Sequence, residues 1–129
     1  MIRFCLFLFS TVLLFVIACE TLPEEPKVPY NPYDPANPNY IRPRIFLLSG
    51  PAEADTITTD TVTFLWKGNL DSMLFRHRFD NGFWSAFDTT TSVHLTNLSE
   101  GKHIFFVQGQ YIKGENGPVY TFHFYTDLP

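Results

Sequence analysis

From residue 60 onward the chain alternates apolar and polar side chains with a period of two, and Gly, Asn, Asp or Pro breaks the alternation at short intervals. In "TVTFLWKG", Val62, Phe64 and Trp66 share one face, and Thr61, Thr63 and Lys67 share the other. Successive side chains of a strand point to opposite faces, so a chain of this kind buries one side of each strand by packing two sheets together. The spacing predicts an all-β sandwich of seven strands, over 44–49, 60–67, 72–80, 83–87, 91–96, 102–111 and 118–126. With 14 Phe, 6 Tyr and 2 Trp, most of them after residue 44, the chain has the large side chains that a small core needs.

Asn81-Gly82, inside "LFRHRFDNGFWSAF", predicts a two-residue hairpin turn with positive φ at both central residues. Such a turn pairs Asp80 with Phe83 and Phe79 with Trp84. Phe75, His77, Phe79, Trp84 and Ala86 are then expected to face inward, which makes Trp84 a core residue like Trp66. The inner face of 102–111 carries His103, Phe105, Val107, Gly109 and Tyr111, and that of 118–126 carries Tyr120, Phe122 and Phe124. Pairing Ile112 with Val119 across "KGENGP" sets Val107 opposite Phe124 and Phe105 opposite Thr126, so the inner sets meet. On the outer face the same register sets Phe106 opposite Tyr125 and Gln108 opposite His123.

The N-terminus reads differently. One positive charge, Arg3, precedes a nearly unbroken apolar run of 14 residues over 4–17, the length of a signal-peptide core. An uncleaved anchor is the competing reading, but a membrane span needs roughly 20 apolar residues. Val16-Ile17-Ala18-Cys19 resembles the bacterial lipobox, with Val16 in the place most often held by Leu. The resemblance implies that Cys19 receives a diacylglyceryl thioether and becomes the new N-terminus, so residues 1–18 are a lipoprotein signal peptide. Cys5 would leave with the signal and Cys19 would be blocked, so the mature chain would hold no thiol for a disulfide, metal or nucleophile. Glu20, where some Gram-negative lipoproteins carry an inner-membrane retention Asp, favours the outer membrane. The expected address is the bacterial cell envelope, with the membrane engaged through lipid on Cys19.

Residues 19–43 read as a linker in which Pro23, Pro26, Pro29, Pro32, Pro35 and Pro38 recur every third residue, the period of polyproline II. Extended at about 3.1 Å per residue, it would hold the domain roughly 75 Å from the membrane. Asn31-Pro32, Asp34-Pro35 and Asn37-Pro38 offer an alternative, because Asx before Pro initiates turns and "NPYDPANPNY" can form a series of bends docked on the domain. A calcium site on Asn31, Asp34 and Asn37 is poorly supported, since only one of the three is a carboxylate.

"TVTFLWKG", "FRHRFDNGFWSAF" and "TSVHLTNLSEGKHIFFVQGQ" resemble the fibronectin type III and immunoglobulin-like sandwich modules of bacterial surface proteins. They are similar above all to the tyrosine-rich module that follows sensor β-propellers. Trp66, Phe75, Phe79-Asp80, Trp84-Ser85, Leu98 and Gly101 occupy that pattern's structural positions, while His77 replaces an aromatic and Phe79 replaces Leu. The resemblance covers most of residues 44–126, implies adhesion, display or partner binding, and supplies no catalytic residue.

The residues themselves point the same way. His77 and His103 face inward by parity and His94 and His123 outward, without His-x-His or His-x-x-x-His spacing, so no metal or cofactor site is expected. Trp84-Ser85-Ala86 lacks the glycines of a nucleophile elbow, and no enzyme activity is expected. The net charge of −4 and scattered basic residues exclude a nucleic-acid footprint. Asp55-Thr56-Ile57, Asp60-Thr61-Val62, Asp71-Ser72-Met73 and Asp88-Thr89-Thr90 resemble an O-glycosylation pattern of some Gram-negative envelope proteins, and Asn97-Leu98-Ser99 fits an N-glycosylation sequon. The outer face is unusual for a solvated one, and Phe106, Tyr125, Arg76, Arg78, Gln108 and His123 form the candidate binding patch. The expected partner is an envelope protein or assembly. The alternative is a small carbohydrate-binding module that stacks exposed rings on a glycan.

Overall fold

The computed structural model describes residues 31–112 and 114–129. The signal segment, Cys19 and the proline-rich stretch before residue 31 lie outside the described residues. The described chain forms β1 (Ile45–Ser49), β2 (Asp55–Ile57), β3 (Val62–Gly68), β4 (Met73–Phe79), β5 (Ser92–Leu95), β6 (Gly101–Tyr111) and β7 (Asn116–Thr126). A three-stranded sheet of order β1-β3-β5 packs on a four-stranded sheet of order β2-β7-β6-β4. The all-β, seven-stranded sandwich is therefore the fold, although one strand differs from the prediction. Residues 83–87 form no strand, and β2 takes the seventh place by pairing in parallel with β7, Thr56 opposite Tyr125.

The core lies where the alternation put it. Phe64, Phe105, Val107 and Phe124 are fully buried and Trp66 nearly so. The Phe64 and Phe105 rings stack across the two sheets at 4.2 Å and 11°, and Trp66 meets Phe105 at 5.8 Å and Phe75 edge-on at 6.4 Å. Burying a ring of this size stabilises the fold by about 1.5–3 kcal/mol, and paired rings add about 0.5–1.5 kcal/mol. Gly50, with φ +140°, gives the chain after β1 a sharp exit, and a Cβ there would come within 2.7 Å of the Phe64 ring.

The β6 to β7 register differs from the expected one by four residues. Val107 pairs with Tyr120 and Phe105 with Phe122, so Phe106 lies opposite Thr121 and Gln108 opposite Val119. Tyr125 pairs with Lys102 and His123 with Ile104. A shift of four preserves parity, which is why every inner residue stays inner while every cross-strand partner changes. The sequence places the start of this strand at residue 118, and Pro118 has no N–H to give a ladder. Instead it lies with Gly117 in a register shift opposite Gly109, between the pairs Gln108–Val119 and Gln110–Asn116, so the strand begins earlier and the loop is tighter.

Residues 31–40 form a string of turns packed on the sandwich. Asn31, Asp34 and Asn37 each accept the N–H two residues on through Oδ1, at 3.0, 2.9 and 2.8 Å, and the N–H three residues on through the backbone carbonyl. Their Oδ1 atoms are occupied by these bonds. Tyr33 and Tyr40 meet Tyr111 edge-on at 5.5 and 6.4 Å, and the Tyr111 hydroxyl donates to the Ile41 carbonyl at 2.7 Å while accepting from Asn69 Nδ2 at 2.9 Å.

Candidate functional site

Arg76 and Arg78 occupy successive outward positions of β4, between the inward Phe75, His77 and Phe79. What covers them comes from the segment that follows the strand. The turn closes with the Gly82 N–H donating to the Phe79 carbonyl at 2.9 Å, but neither Asn81 nor Gly82 has positive φ. Asp80 takes the left-handed conformation, at φ 47°, and its carboxylate reaches β6: Oδ1 accepts the Ile104 N–H at 2.8 Å and Oδ2 meets His103 Nδ1 at 2.7 Å. The turn is thus held by its side chain rather than by an Asn-Gly pair.

The returning chain then slips by one residue. Ser85 N–H donates to the His77 carbonyl at 2.8 Å, and the His77 N–H donates to Ser85 Oγ at 3.0 Å. Three residues later Asp88 bridges Phe75, in the register expected from the turn. The return therefore carries one extra residue between these contacts, and a one-residue slip exchanges faces. This is why Trp84 is not in the core. Its ring lies on the outer face, edge-on to Phe106 at 6.2 Å, and Ala86 is exposed rather than inward.

The outcome is a ladder of rings and guanidinium groups. Arg76 lies 4.5 Å from the Trp84 centroid and 4.9 Å from that of Phe87, and Arg78 lies 4.3 Å from Phe106 and 5.7 Å from Trp84. Arg76 Nε donates to Gln108 Oε1 at 2.8 Å, and Gln108 Nε2 donates to the Gly117 carbonyl at 2.8 Å. Gln108 is only 7% exposed, so it acts as a buried brace under Arg76 rather than as an accessible contact. Arg78 Nε is enclosed and has no hydrogen-bond partner among the described residues.

Of the six patch residues expected from the sequence, the structure brings together Arg76, Arg78, Phe106 and Gln108. Trp84 and Phe87 belong with them and were missed; their signal was aromatics three apart on the far side of a tight turn from Arg-x-Arg. His123 is engaged elsewhere, its Nδ1 2.6 Å from Glu53 Oε1 and its N–H donating to Glu53 Oε2 at 3.0 Å. The His123 backbone N–H, more than any other contact, holds the Glu53 carboxyl below its ordinary range. Tyr125 lies between Lys102 and Thr56, with 40% of its surface exposed. The Phe106–Tyr125 and Gln108–His123 pairs of the expected register do not form.

Elsewhere, Phe46, Leu48 and Leu65 are exposed on the three-stranded sheet, with Lys67 5.9 Å above the Phe46 ring. A cleft of about 340 Å³ opens between Tyr33, Asp34, Leu70 and Tyr111. Thr56, Thr61, Ser72 and Thr89, the hydroxyls of the four Asp-Ser/Thr triplets, are all exposed. Among the described residues no three of His, Cys, Asp and Glu converge as metal ligands, and no helix is long and apolar enough to cross a membrane.

No protein-family model matches the sequence, and no curated protein does. Among solved structures, the extracellular domain of a hybrid two-component system from B. thetaiotaomicron superposes with a TM-score of 0.58 at 10% identity. The match covers 72% of this chain and 17% of that one, so this chain spans a small part of its length. The fibronectin(III)-like modules of Clostridium thermocellum CbhA give a TM-score of 0.49 at 8% identity, over 66% of this chain and 98% of theirs. The PKD domain of an M14-like peptidase from a Thermoplasmatales archaeon gives 0.42 at 16% identity, over 66% and 92%. At these identities the likeness is one of fold. The order β1-β3-β5 packed on β2-β7-β6-β4, closed over a buried aromatic core, is the two-sheet, seven-stranded arrangement of an immunoglobulin/fibronectin type III-like sandwich.

Proposed function

We propose that this protein is a lipid-anchored protein of the bacterial envelope whose sandwich binds another protein, or completes a surface assembly, through the outer face of β4 and β6. The observation that carries the reading is the Arg76, Arg78, Trp84, Phe87 and Phe106 ladder. It gathers Arg and aromatic side chains, the types enriched at binding hot spots, on a face that a free sandwich would leave polar. One face of each ring is taken by a guanidinium, which favours a protein partner over a glycan stacked on open rings. The anchor rests on the lipobox-like Val16-Ile17-Ala18-Cys19, and Glu20 favours the outer membrane. Two or more acyl chains, at about 0.8 kcal/mol per buried methylene, make such an anchor stable.

The interface is tested by photo-crosslinking in cells from position 121, opposite Phe106, and from position 94 on the other sheet. A discrete adduct from 121 alone is expected, and equal adducts from both positions would reject the face. Incorporation of a fatty-acid analogue should disappear in Cys19→Ser; equal labelling of the two proteins would reject the anchor.

A further inference from the structure

We propose that Arg76 and Arg78 form a recognition site for carboxylates presented by an extended acidic segment of the partner, an inference that rests on the protein-binding reading above and names its chemistry. On a strand rising about 3.3 Å per residue their Cα atoms lie about 7 Å apart on one face. Rings flank both guanidinium groups: Trp84 and Phe87 beside Arg76, Phe106 and Trp84 beside Arg78. Ring contacts of this kind engage the plane of a guanidinium and leave its N–H donors, which lie at the rim of that plane, to find acceptors elsewhere.

Those acceptors are missing from the fold. Arg76 commits Nε to Gln108 and Arg78 Nε is enclosed, while no hydrogen bond among the described residues engages the terminal Nη groups of either arginine. The ion pairs among the described residues are His103–Asp80 and His123–Glu53, so neither arginine has a carboxylate counterion there. The chain carries 13 acidic residues against 9 basic ones, yet no acid among the described residues is ion-paired with Arg76 or Arg78, and the Asp88 carboxylate, beside Phe87, accepts from the Thr90 N–H instead. Two oriented cations without counterions, in an acidic protein, are complementary to an acidic partner.

A planar carboxylate meets the guanidinium rim with two parallel hydrogen bonds, the strongest pairing this side chain makes. In an extended peptide, alternate residues fall on one side at about the same 7 Å, so an acid-x-acid segment meets both arginines at once. Phe83, next in sequence to Trp84 and fully exposed, adds an apolar contact at the tip of the turn. The stack supplies pre-organisation, because the arginine side chains are ordered before the partner arrives.

The test uses the full chain in detergent and fluorescence anisotropy with three probes: a labelled Glu-Thr repeat peptide, its Gln-Thr counterpart and a labelled polyuronate. The acidic peptide should bind about tenfold or more tightly than the Gln peptide, an advantage lost in R76Q/R78Q and kept in the control Arg44→Gln. R78K keeps the charge but lacks the planar fork, and should bind several-fold more weakly than the native protein. Equal binding of the two peptides, unchanged binding by R78K, or preference for the polyuronate would overturn the proposal. The peptide comparison needs no variant, so it stands even if R76Q/R78Q misfolds. A crosslink from position 121 that persists when the two peptides bind equally rejects the carboxylate chemistry and leaves the interface standing.

Discussion

His103 Nδ1 lies 2.7 Å from Asp80 Oδ2, and its Nε2 lies 2.7 Å from the Ser99 carbonyl, in a site where the imidazole is 3% exposed. The ring is held between Phe79 at 5.2 Å and Phe124 at 5.3 Å, and Thr126 Oγ1 donates to the same Ser99 carbonyl. Asp80 thus connects the interior to the turn from which Trp84 departs. Asp80→Asn removes the charge from two hydrogen bonds. It should cost about 1–2 kcal/mol, toward the low end of charged hydrogen bonds because the carboxylate is 35% exposed. In a Trp66→Phe background, the remaining Trp84 emission should shift as well. Unaltered emission would show that Asp80 does not set the turn.

The two tryptophans should respond differently to truncation. Trp66→Ala opens the centre of the core and is expected to cost about 3–5 kcal/mol, close to the whole stability of a small domain, so the protein should fail to fold. Trp84→Ala removes a half-buried ring from the outer face and should leave a cooperative transition, with a loss of about 1–2 kcal/mol from its ring and cation contacts. Urea denaturation of the two variants measures the difference, and the reverse order would contradict the placement of Trp84.

His77 gives the fold an acid sensitivity. Burial lowers its pKa, and the nearby Asp88 charge offsets only part of that effect. The unfolded chain then binds the proton more tightly than the folded one. The contribution is complete above the ordinary imidazole value of about 6.5 and is lost as pH falls from there through the lowered folded value. The urea midpoint should decline across that window, and His77→Gln should flatten the decline. An equal slope in the variant would assign the sensitivity to another group.

Tyr111 fastens the turn segment. Tyr111→Phe loses the hydroxyl's bonds to Ile41 and Asn69, and should cost about 1–2 kcal/mol while making residues 31–43 more accessible to protease than the strands. Gly117→Ala should act at the same place, since a Cβ there would sit 2.6 Å from the Pro43 carbonyl oxygen, a backbone atom that cannot swing away. Proteolysis unchanged in both variants would mean that the segment's packing is held by other contacts.

Facing was legible along the regular strands β3, β4, β6 and β7, and pairing was not. Period-two alternation placed Phe64, Phe105, Val107, His103 and Phe124 inside because each residue carries its own polarity. Register depends on loops and bulges, which polarity does not record. The β6 to β7 loop closes five residues tighter than expected and the Gly117-Pro118 irregularity gives one back, so the partners beyond it moved by four, and the extra residue after Ser85 turned Trp84 outward. β2 escaped notice because Asp55–Ile57 is too short for an alternation, and it is held from outside by β7. Arg76, Arg78, Phe106 and Gln108 were found together because β4 and β6 are regular where they meet. Tyr125 and His123 fell away because their placement relied on the mistaken β6 to β7 register.

The row of Asx-Pro turns also has a mechanical consequence. A pull on the chain ahead of residue 31 would load the Tyr111 hydroxyl bond and the three turns before it strained the β1 to β3 ladder. Unravelling ten residues releases up to about 30 Å of chain, since each extended residue spans about 3.3–3.6 Å. The turns would act as a sacrificial spring, giving way in small steps under load while the sandwich and its ladder of rings keep their shape.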